Sequence, residues 1–236
     1  MQYQRNTTRE RRGHMTDTFS PGDFWTPERA RIAVDRMANS MASPEMQTMM
    51  QAIASGAAEN GNAAAMAASM AGATPAPKST APIAAGACTY RRGRASDLPE
   101  FARLIVAGEL PPMFIEEFVE GFVAVEHEDE LIGCGGLEIY GESGVVRSVV
   151  VDERGRGQHI GERISELLLQ DARASGAADV YLFTMHAYNF WRRQGFADAP
   201  LDTWPDPTRV CWQYQFITQF PEVSTGVYPM ARIARA

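Results

Sequence analysis

The stretch from Val149 to Ile164 constrains the fold most, because a strand, a glycine-rich turn and a helix follow one another directly. β-Branched residues end the strand, Gly155, Gly157 and Gly161 come next, and apolar residues then recur at helical spacing. A helix N-terminus behind such a turn presents free backbone N–H groups, which favour a phosphate. Three glycines alone leave open a tight connection that binds nothing.

Neither common phosphate motif fits this turn. It lacks Gly-Lys-Ser/Thr, and a dinucleotide fingerprint starting at Gly155 would need a glycine where Ile160 stands. The segment instead resembles motif A of the GNAT superfamily of acetyl-CoA-dependent N-acyltransferases, a Val-x-Val strand end followed by Gln/Arg-x-x-Gly-x-Gly/Ala. It aligns without gaps, from Val149 and Val151 through Arg156–Gly161.

His159 is the one departure, since it stands where the pattern has its first glycine. Its backbone N–H survives that change, so we expect pyrophosphate binding to survive, with the side chain pointing away from the ligand. The resemblance implies acetyl-CoA as co-substrate. The backbones of Val149 and Val151 would contact it, and so would Thr184, at a position where many relatives carry asparagine. The turn would contact it through Arg156, Gly157, Gln158, His159, Ile160 and Gly161.

A second motif lies at Phe190–Phe196. Phe-Trp-Arg-Arg-Gln-Gly-Phe looks like the superfamily's Phe-Tyr-x-x-x-Gly-Phe, in which the tyrosine often acts as general acid. That position is Trp191 here, whose indole N–H has no acid role. Tyr188 lies one helical turn earlier and is the candidate to replace the tyrosine, with packing in the core or at the rim as the alternative.

Glu138 and Arg147 form the candidate acceptor site. Counting from a hairpin loop at residues 141–144 places the two opposite each other, on the face shared with Val149 and Val151. An arginine can bind a substrate carboxylate through two hydrogen bonds. The alternative is a cross-strand ion pair, and exposed pairs of that kind contribute little.

The residues around this pair resemble the amino-acid-acetylating branch of the superfamily, which includes N-acetylglutamate-synthase-like proteins and arsenic-resistance N-acetyltransferases. The similarity lies in Leu137-Glu-Ile-Tyr-Gly and Val146-Arg-Ser-Val. In that branch the matching arginine handles the carboxylate of the amino acid. The resemblance therefore implies Arg147 as a substrate-binding residue. Glu138 is the candidate base, acting directly or through water.

Composition narrows the class of protein. The chain has 236 residues, 45% hydrophobic and 22% charged, which is ordinary for a soluble globular protein. Its net charge of −7 argues against general nucleic-acid binding. Three cysteines without paired spacing predict reduced thiols and a cytoplasmic setting. No metal is expected, because the four histidines lack ligand spacing, and no membrane contact, because no apolar run reaches about 20 residues.

Four regions are predicted along the chain. Residues 1–14 are a basic extension, expected to be disordered, and either a targeting segment or sequence upstream of a natural start at Met15. Residues 15–54 are a short helical segment, with helices starting near Pro27 and Pro44. Residues 55–87 are an Ala/Gly/Met/Pro-rich linker. The GNAT domain takes residues 88–236.

The methionine-rich helices of residues 27–54 have two interpretations. Their methionines form an adaptable contact surface, or the helices are a pair that rests on the catalytic domain or on a neighbouring subunit, so that a homodimer is left open. In either case we expect the stretch before Cys88 not to belong to the catalytic core. A chain starting near Cys88 should then fold and bind acetyl-CoA.

Within the GNAT domain, the patterns predict an α/β fold with a mixed, mostly antiparallel central sheet flanked by helices. The expected elements are a strand at residues 90–92, helices at 97–107 and 113–120, strands at 122–126, 130–140 and 145–151, a helix at 160–174, a strand at 180–183, helices at 187–194 and 207–220, and a strand at 224–232.

The C-terminal helix is predicted to turn Val210, Tyr214 and Ile217 inward. Its Cys211-Trp-Gln-Tyr214 cluster either walls the substrate pocket or packs in the core. Cys211 has no histidine or asparagine assigned to support it as a nucleophile.

The predicted function is that of a transferase. An acetyl group would pass from acetyl-CoA to a small, carboxylate-bearing amine by direct attack in a ternary complex. Two alternatives stay open: an acyltransferase (N-acetyltransferase) that acts on a protein N-terminus or lysine, and a degenerate acetyl-CoA-binding sensor or docking module. His159 and Trp191 are the features that favour the last of these.

Overall fold

The computed structural model describes residues 18–21, 24–54, 83 and 88–233, in which a seven-stranded sheet lies between helices. The strands are β1 (Thr89–Arg92), β2 (Phe122–His127), β3 (Glu130–Tyr140), β4 (Ser143–Val151), β5 (Asp179–Thr184), β6 (Ala197–Asp198) and β7 (Tyr228–Arg232). Their order is β1-β2-β3-β4-β5-β7-β6, and β4–β5 is the parallel pair among them. The predicted α/β fold with a mixed, mostly antiparallel sheet is confirmed.

Helices cover both faces of this sheet. They are α1 (Pro27–Met41), α2 (Pro44–Ala54), α3 (Leu98–Ala107), α4 (Ile160–Ala174), α5 (Tyr188–Arg193) and α6 (Trp212–Gln219). On one face, α4 approaches so closely that a Cβ on Gly135 would lie 2.6 Å from Ile164. On the other face, Phe101 of α3 stacks on Phe122 of β2 with ring centroids 5.3 Å apart.

The helix predicted for residues 113–120 is wrong. Residues 113–118 form turns, and Phe114 has a φ of 56°, in the left-handed region that a helix excludes. The carbonyl of Met113 accepts a hydrogen bond from Arg147 of β4. Met113, Phe114, Ile115 and Phe118 are all buried, so this segment packs apolar side chains in several directions. Tertiary contacts therefore override its local helical pattern.

The β3–β4 hairpin has a two-residue loop, where the sequence predicted four residues. Tyr140 pairs with Ser143, and Gly141 turns the chain with a φ of 63°. Glu138 consequently pairs with Val145, two positions away from the predicted register. Because side chains alternate with a period of two, this shift keeps Glu138 and Arg147 on one face, as diagonal neighbours.

A β-bulge interrupts β4 just after Arg147. Gly136 pairs with Arg147 and Cys134 with Val150, so two steps along β3 face three steps along β4. Ser148 lies in this irregularity with a φ of 52°. A bulge adds one residue and reverses the alternation of side chains beyond it.

The bulge overturns the prediction that Arg147 shares a face with Val149 and Val151. A Cβ on Gly135 would lie 2.9 Å from Val149, on the side of α4. Val151 lies next to Gly161, at the start of the same helix. Arg147 stays on the face of Glu138, with the bulge between it and the two valines.

The methionine-rich helices rest on the catalytic domain. α1 begins after Thr26, whose hydroxyl accepts from the N–H of Arg29. Met37 is fully buried and its sulfur lies 3.8 Å from the hydroxyl oxygen of Tyr140 in β3. Met50 of α2 is 1% exposed. Residues 18–54, as far as the structure describes them, thus cover an apolar part of the domain. The predicted basic extension, 1–14, lies outside the described residues, as does the linker apart from Ile83.

This packing reverses the expectation for a chain starting at Cys88. Such a chain loses α1, α2 and Trp25, whose ring covers Gly121 and lies 6.0 Å from the ring of Phe118. Exposing this much apolar surface should lower the free energy of unfolding by at least about 5 kcal/mol. The melting temperature should then fall by about 10 °C or more. Thermal unfolding followed by circular dichroism tests this. A chain starting at Thr18 is the control, and equal melting temperatures for the two chains would show that the helices are dispensable.

Candidate active site

A cavity opens where β4 and β5 separate. The two strands pair in parallel over three positions, from Ser143 with Asp179 to Val145 with Tyr181. Beyond Val145 the pairing stops, and the ends of both strands line a cavity of about 720 Å³. Unpaired strand edges present backbone N–H and C=O groups, so an extended ligand can lie between them as a strand would.

The glycine-rich turn adjoins this gap. Within the described part of the chain, the backbone N–H groups of residues 157–162 donate to no protein acceptor. Gly157 has a φ of 79°, and nothing lies within 4 Å of the place where its Cβ would be. A helix N-terminus with several free N–H groups beside open space has the chemistry of a diphosphate site.

His159 takes the conformation of the glycine that it replaces. Its φ is 57°, in the left-handed region that histidine adopts more readily than most residues. Its side chain is 87% exposed and lies 3.5 Å from Glu162. The side chain therefore leaves the backbone of the turn open, and pyrophosphate binding at this position stays a prediction.

The two arginines of the turn differ in availability. Arg154 donates to Asp152 at 2.8 Å and to Glu130 at 2.6 Å, and its hydrogen bond lowers the pKa of the Asp152 carboxyl. Its charge is therefore neutralised locally. Arg156 has a side chain 60% exposed, and its ion pair with Glu153 is long, at 3.6 Å. Arg156 is consequently the arginine that can turn towards a phosphate.

Arg147 lies in the wall of the same cavity. Its side chain is 1% exposed, and Nη1 donates to Oε1 of Glu138 at 2.8 Å. Nη2 donates to the carbonyl of Met113, and the guanidinium lies 5.3 Å from the ring of Trp212. The structure thus fixes a planar, charged donor group at the cavity through contacts from three separate segments.

Glu138 does not reach the cavity. It is fully buried, with one carboxylate oxygen accepting from Arg147 and the other from the Tyr140 hydroxyl at 2.6 Å. Burial and the nearby Glu138 charge raise the pKa of Tyr140, so the phenol stays protonated as a donor. A carboxylate with both oxygens engaged is poorly placed to take a proton from an amine. Its observed contacts position Arg147.

Tyr188 also lies away from the cavity wall. Its hydroxyl donates to Asp198 at 2.8 Å, and its ring packs 5.0 Å from that of Tyr228. The hydrogen bond to Asp198 raises the pKa of Tyr188. The geometry therefore does not support Tyr188 as the replacement acid. Trp191, at the position of the usual tyrosine, does line the cavity.

The cavity joins some of the predicted residues and not others. It is lined by Arg147, Val149, Val151, Arg156 and Thr184. Thr184 also accepts from the N–H of Ala187, which closes the turn into α5. Residues 157–161 follow Arg156 on the turn and are outside the lining, as are Glu138 and Tyr188.

Sequence reasoning missed much of the acceptor end of the cavity. We use that name for the apolar residues that α2, the loop after α3 and α6 contribute to the lining, Met50, Leu110, Met113, Trp212, Phe216 and Ile217. The Cys211–Tyr214 cluster was predicted either to wall the substrate pocket or to pack in the core, and its residues do both. Trp212 and Gln213 line the cavity, whereas Cys211 is buried and Tyr214 packs on Trp204. Val210 is 43% exposed, against the prediction.

The buried thiols do not take part in this chemistry. Burial raises the pKa of Cys134 and of Cys211 well above the ordinary range, which keeps both protonated.

Across the described residues, no group of three or more histidine, cysteine or acidic side chains is arranged to bind a metal ion. In the same part of the chain, no helix has the length and apolar character that crossing a membrane requires.

Comparison with known proteins gives the family of this site. Residues 92–196 match the acetyltransferase (GNAT) family. An amino-acid acetyltransferase of Mycobacterium tuberculosis is 33% identical over 118 residues, 46% of this chain and 67% of the relative. One of Ralstonia nicotianae is 28% identical over 105 residues, 43% of this chain and 23% of the relative. The chain therefore spans about two thirds of the first relative and under a quarter of the second.

Solved structures agree on the fold. N-acetylglutamate synthase from Neisseria gonorrhoeae, in complex with coenzyme A and N-acetyl-glutamate, superposes with a TM-score of 0.54 at 20% identity, over 63% of this chain and 35% of that one. A GNAT-family acetyltransferase from Staphylococcus aureus superposes with a TM-score of 0.51 at 14% identity, over 63% and 100%. The family match and its relatives confirm the predicted class, an acetyl-CoA-dependent acyltransferase. This chain belongs to the GNAT acetyltransferase family.

Proposed function

We propose that this chain transfers an acetyl group from acetyl-CoA to the amine of a free amino acid, by direct attack in a ternary complex. One observation carries the proposal: Arg147 and the turn residue Arg156 line one cavity, and the buried guanidinium of Arg147 contacts Met113 and Trp212 of the same lining. Two relatives that bear the name amino-acid acetyltransferase, and a neighbour that binds coenzyme A and N-acetyl-glutamate, support it.

The donor half of the site follows from the turn and the strand gap. The free N–H groups of residues 157–162 would hold the pyrophosphate, and Arg156 would add charge. The pantetheine arm would extend between the unpaired edges of β4 and β5, accepting and donating hydrogen bonds as a strand does. The bulge at Ser148 and Val149 would direct a backbone N–H to the thioester carbonyl and polarise it.

The acceptor half depends on Arg147. Each of its two terminal nitrogens carries two hydrogens, and the bonds to Glu138 and Met113 use one from each. The remaining pair would bind the carboxylate of the amino acid in the bidentate manner for which guanidinium is suited. Glu138 and Tyr140 would act as positioning residues, because Glu138 holds the guanidinium through a hydrogen bond and Tyr140 in turn holds the carboxylate of Glu138.

The reaction requires both substrates to be bound next to each other, and few protein side chains need to take part in the chemical step. The ammonium group of the amino acid first loses one proton to solvent. The nitrogen of the neutral amine then attacks the thioester carbon, a C–N bond forms and the C–S bond breaks, and the proton that the nitrogen loses is taken up by the departing sulfur. Holding both reactants in one cavity supplies much of the rate, because the encounter becomes intramolecular. Met50 and α6 line the acceptor end, which favours a small acceptor over a protein segment.

A thiol-release assay with the full chain tests the proposal. Acetyl-CoA is mixed with a pool of the free amino acids, and coenzyme A is measured as free thiol. We expect release well above the rate of acetyl-CoA hydrolysis without amino acids. Release only with peptides that offer a free N-terminus or lysine would indicate a protein acetyltransferase. Acetyl-CoA binding without release for any amine would indicate a sensor.

A further inference from the structure

The charges around the cavity are already balanced by the protein. Arg147 pairs with Glu138 at 2.8 Å and Arg103 with Glu100 at 2.6 Å. Two more arginines of the described lining belong to the turn, and both are paired: Arg154 with Glu130, and Arg156 with Glu153. The acceptor half therefore carries almost no net charge before a substrate arrives.

The acceptor end is apolar on several sides. Met113 and Leu110 come from the loop after α3, and Trp212, Phe216 and Ile217 come from α6. Met50 adds a thioether from α2, far outside the family match that begins at residue 92. Thioether and aromatic groups adapt to apolar shapes of varied size. The donors beside them in the described lining, the indole N–H of Trp212 and the amide of Gln213, are uncharged and bring no positive charge to match a second carboxylate.

We propose that the acceptor is an amino acid with an uncharged, apolar side chain, and that Met50 is one of the residues that select it. This inference rests on the proposed function. A zwitterion of this kind has no net charge and so matches a site whose charges are already paired. A dicarboxylic acceptor such as glutamate would bring one unmatched negative charge into the apolar acceptor end, where desolvation is costly.

Competing acceptors test the substrate class in the unaltered protein. We expect kcat/KM for the best of methionine, leucine and phenylalanine to exceed that for glutamate by at least about tenfold at saturating acetyl-CoA. A value for glutamate equal to or above that of every apolar amino acid would overturn the inference and leave the proposed function standing. If no amino acid is acetylated at all, the proposed function itself fails.

Met50→Ala tests the contribution of α2. It should raise KM for the preferred apolar amino acid by about five- to thirtyfold, because the side chain loses a contact. KM for acetyl-CoA and for glycine, which has no side chain to reach the acceptor end, should not change. Gln51→Ala, on an exposed neighbour in the same helix, is the matched control and should behave as the unaltered protein. Equal effects on glycine and on the apolar acceptor would exclude a selecting role for Met50.

Discussion

Replacing Gly157 by aspartate is expected to weaken acetyl-CoA binding by at least about 100-fold, which is close to 3 kcal/mol. Gly157 begins the run of free N–H groups and has a φ of 79° beside open space. A carboxylate at this position would occupy the space meant for the pyrophosphate and would repel it. Titration calorimetry with acetyl-CoA measures the loss.

Gly176→Asp is a closely matched control. Gly176 has a φ of 83° and also has nothing within 4 Å of its missing Cβ, but it lies just beyond the opposite end of α4. Both variants should lose similar stability from the left-handed backbone, about 1–2 kcal/mol. Only the variant at Gly157 should lose acetyl-CoA. Unchanged affinity in Gly157→Asp would remove the basis for the donor site.

Replacing Arg147 by alanine is expected to lower both activity and stability. Loss of a partly buried bidentate contact with the substrate should reduce kcat/KM by about 30- to 1000-fold, with acetyl-CoA affinity nearly unchanged. The alanine also leaves Glu138 buried without its ion pair, which should cost about 3–5 kcal/mol of stability. The sequence suggested a weak surface pair as the alternative, and the burial of both side chains excludes that estimate.

Arg147→Lys separates these two effects. A lysine keeps a positive charge beside Glu138, so the melting temperature should fall much less, but it cannot form the planar pair of hydrogen bonds. The KM for the amino acid should still rise by about tenfold or more. An amine of the same shape without a carboxylate is the control substrate. If Arg147→Lys loses the same factor with both amines, Arg147 supports the site structurally and does not capture a carboxylate.

The turn at residues 156–161 shows what local sequence can establish. Its geometry depends on glycine conformations, on a helix N-terminus and on the strand before it, and all three are local properties. The position of His159 was predicted for the same reason, since a residue in place of a glycine must turn its side chain outwards. The family and the fold class therefore followed from a short stretch of residues, and the donor half of the proposed site is predicted from the same stretch.

The acceptor half depended on contacts between distant segments. The alternation of one hairpin correctly placed Arg147 and Glu138 on the same face, even though the loop was two residues shorter and the register two positions different from the prediction. No local sequence pattern predicts the bulge at Ser148, because a bulge depends on how β4 pairs with β3. It placed Val149 on the other side of the sheet and changed which groups face the acceptor.

The sequence by itself determined the family and the conformation of the glycine-rich turn, because backbone conformation and glycine spacing act within a few residues. Only the tertiary structure decided that Met50 and α6 close the acceptor end, that Glu138 supports Arg147, and that Tyr188 lies elsewhere. Such facts follow from burial and packing between segments more than a hundred residues apart, as when Met37 meets Tyr140. Long-range packing is a property of the whole folded chain, and residue spacing along the sequence does not encode it directly.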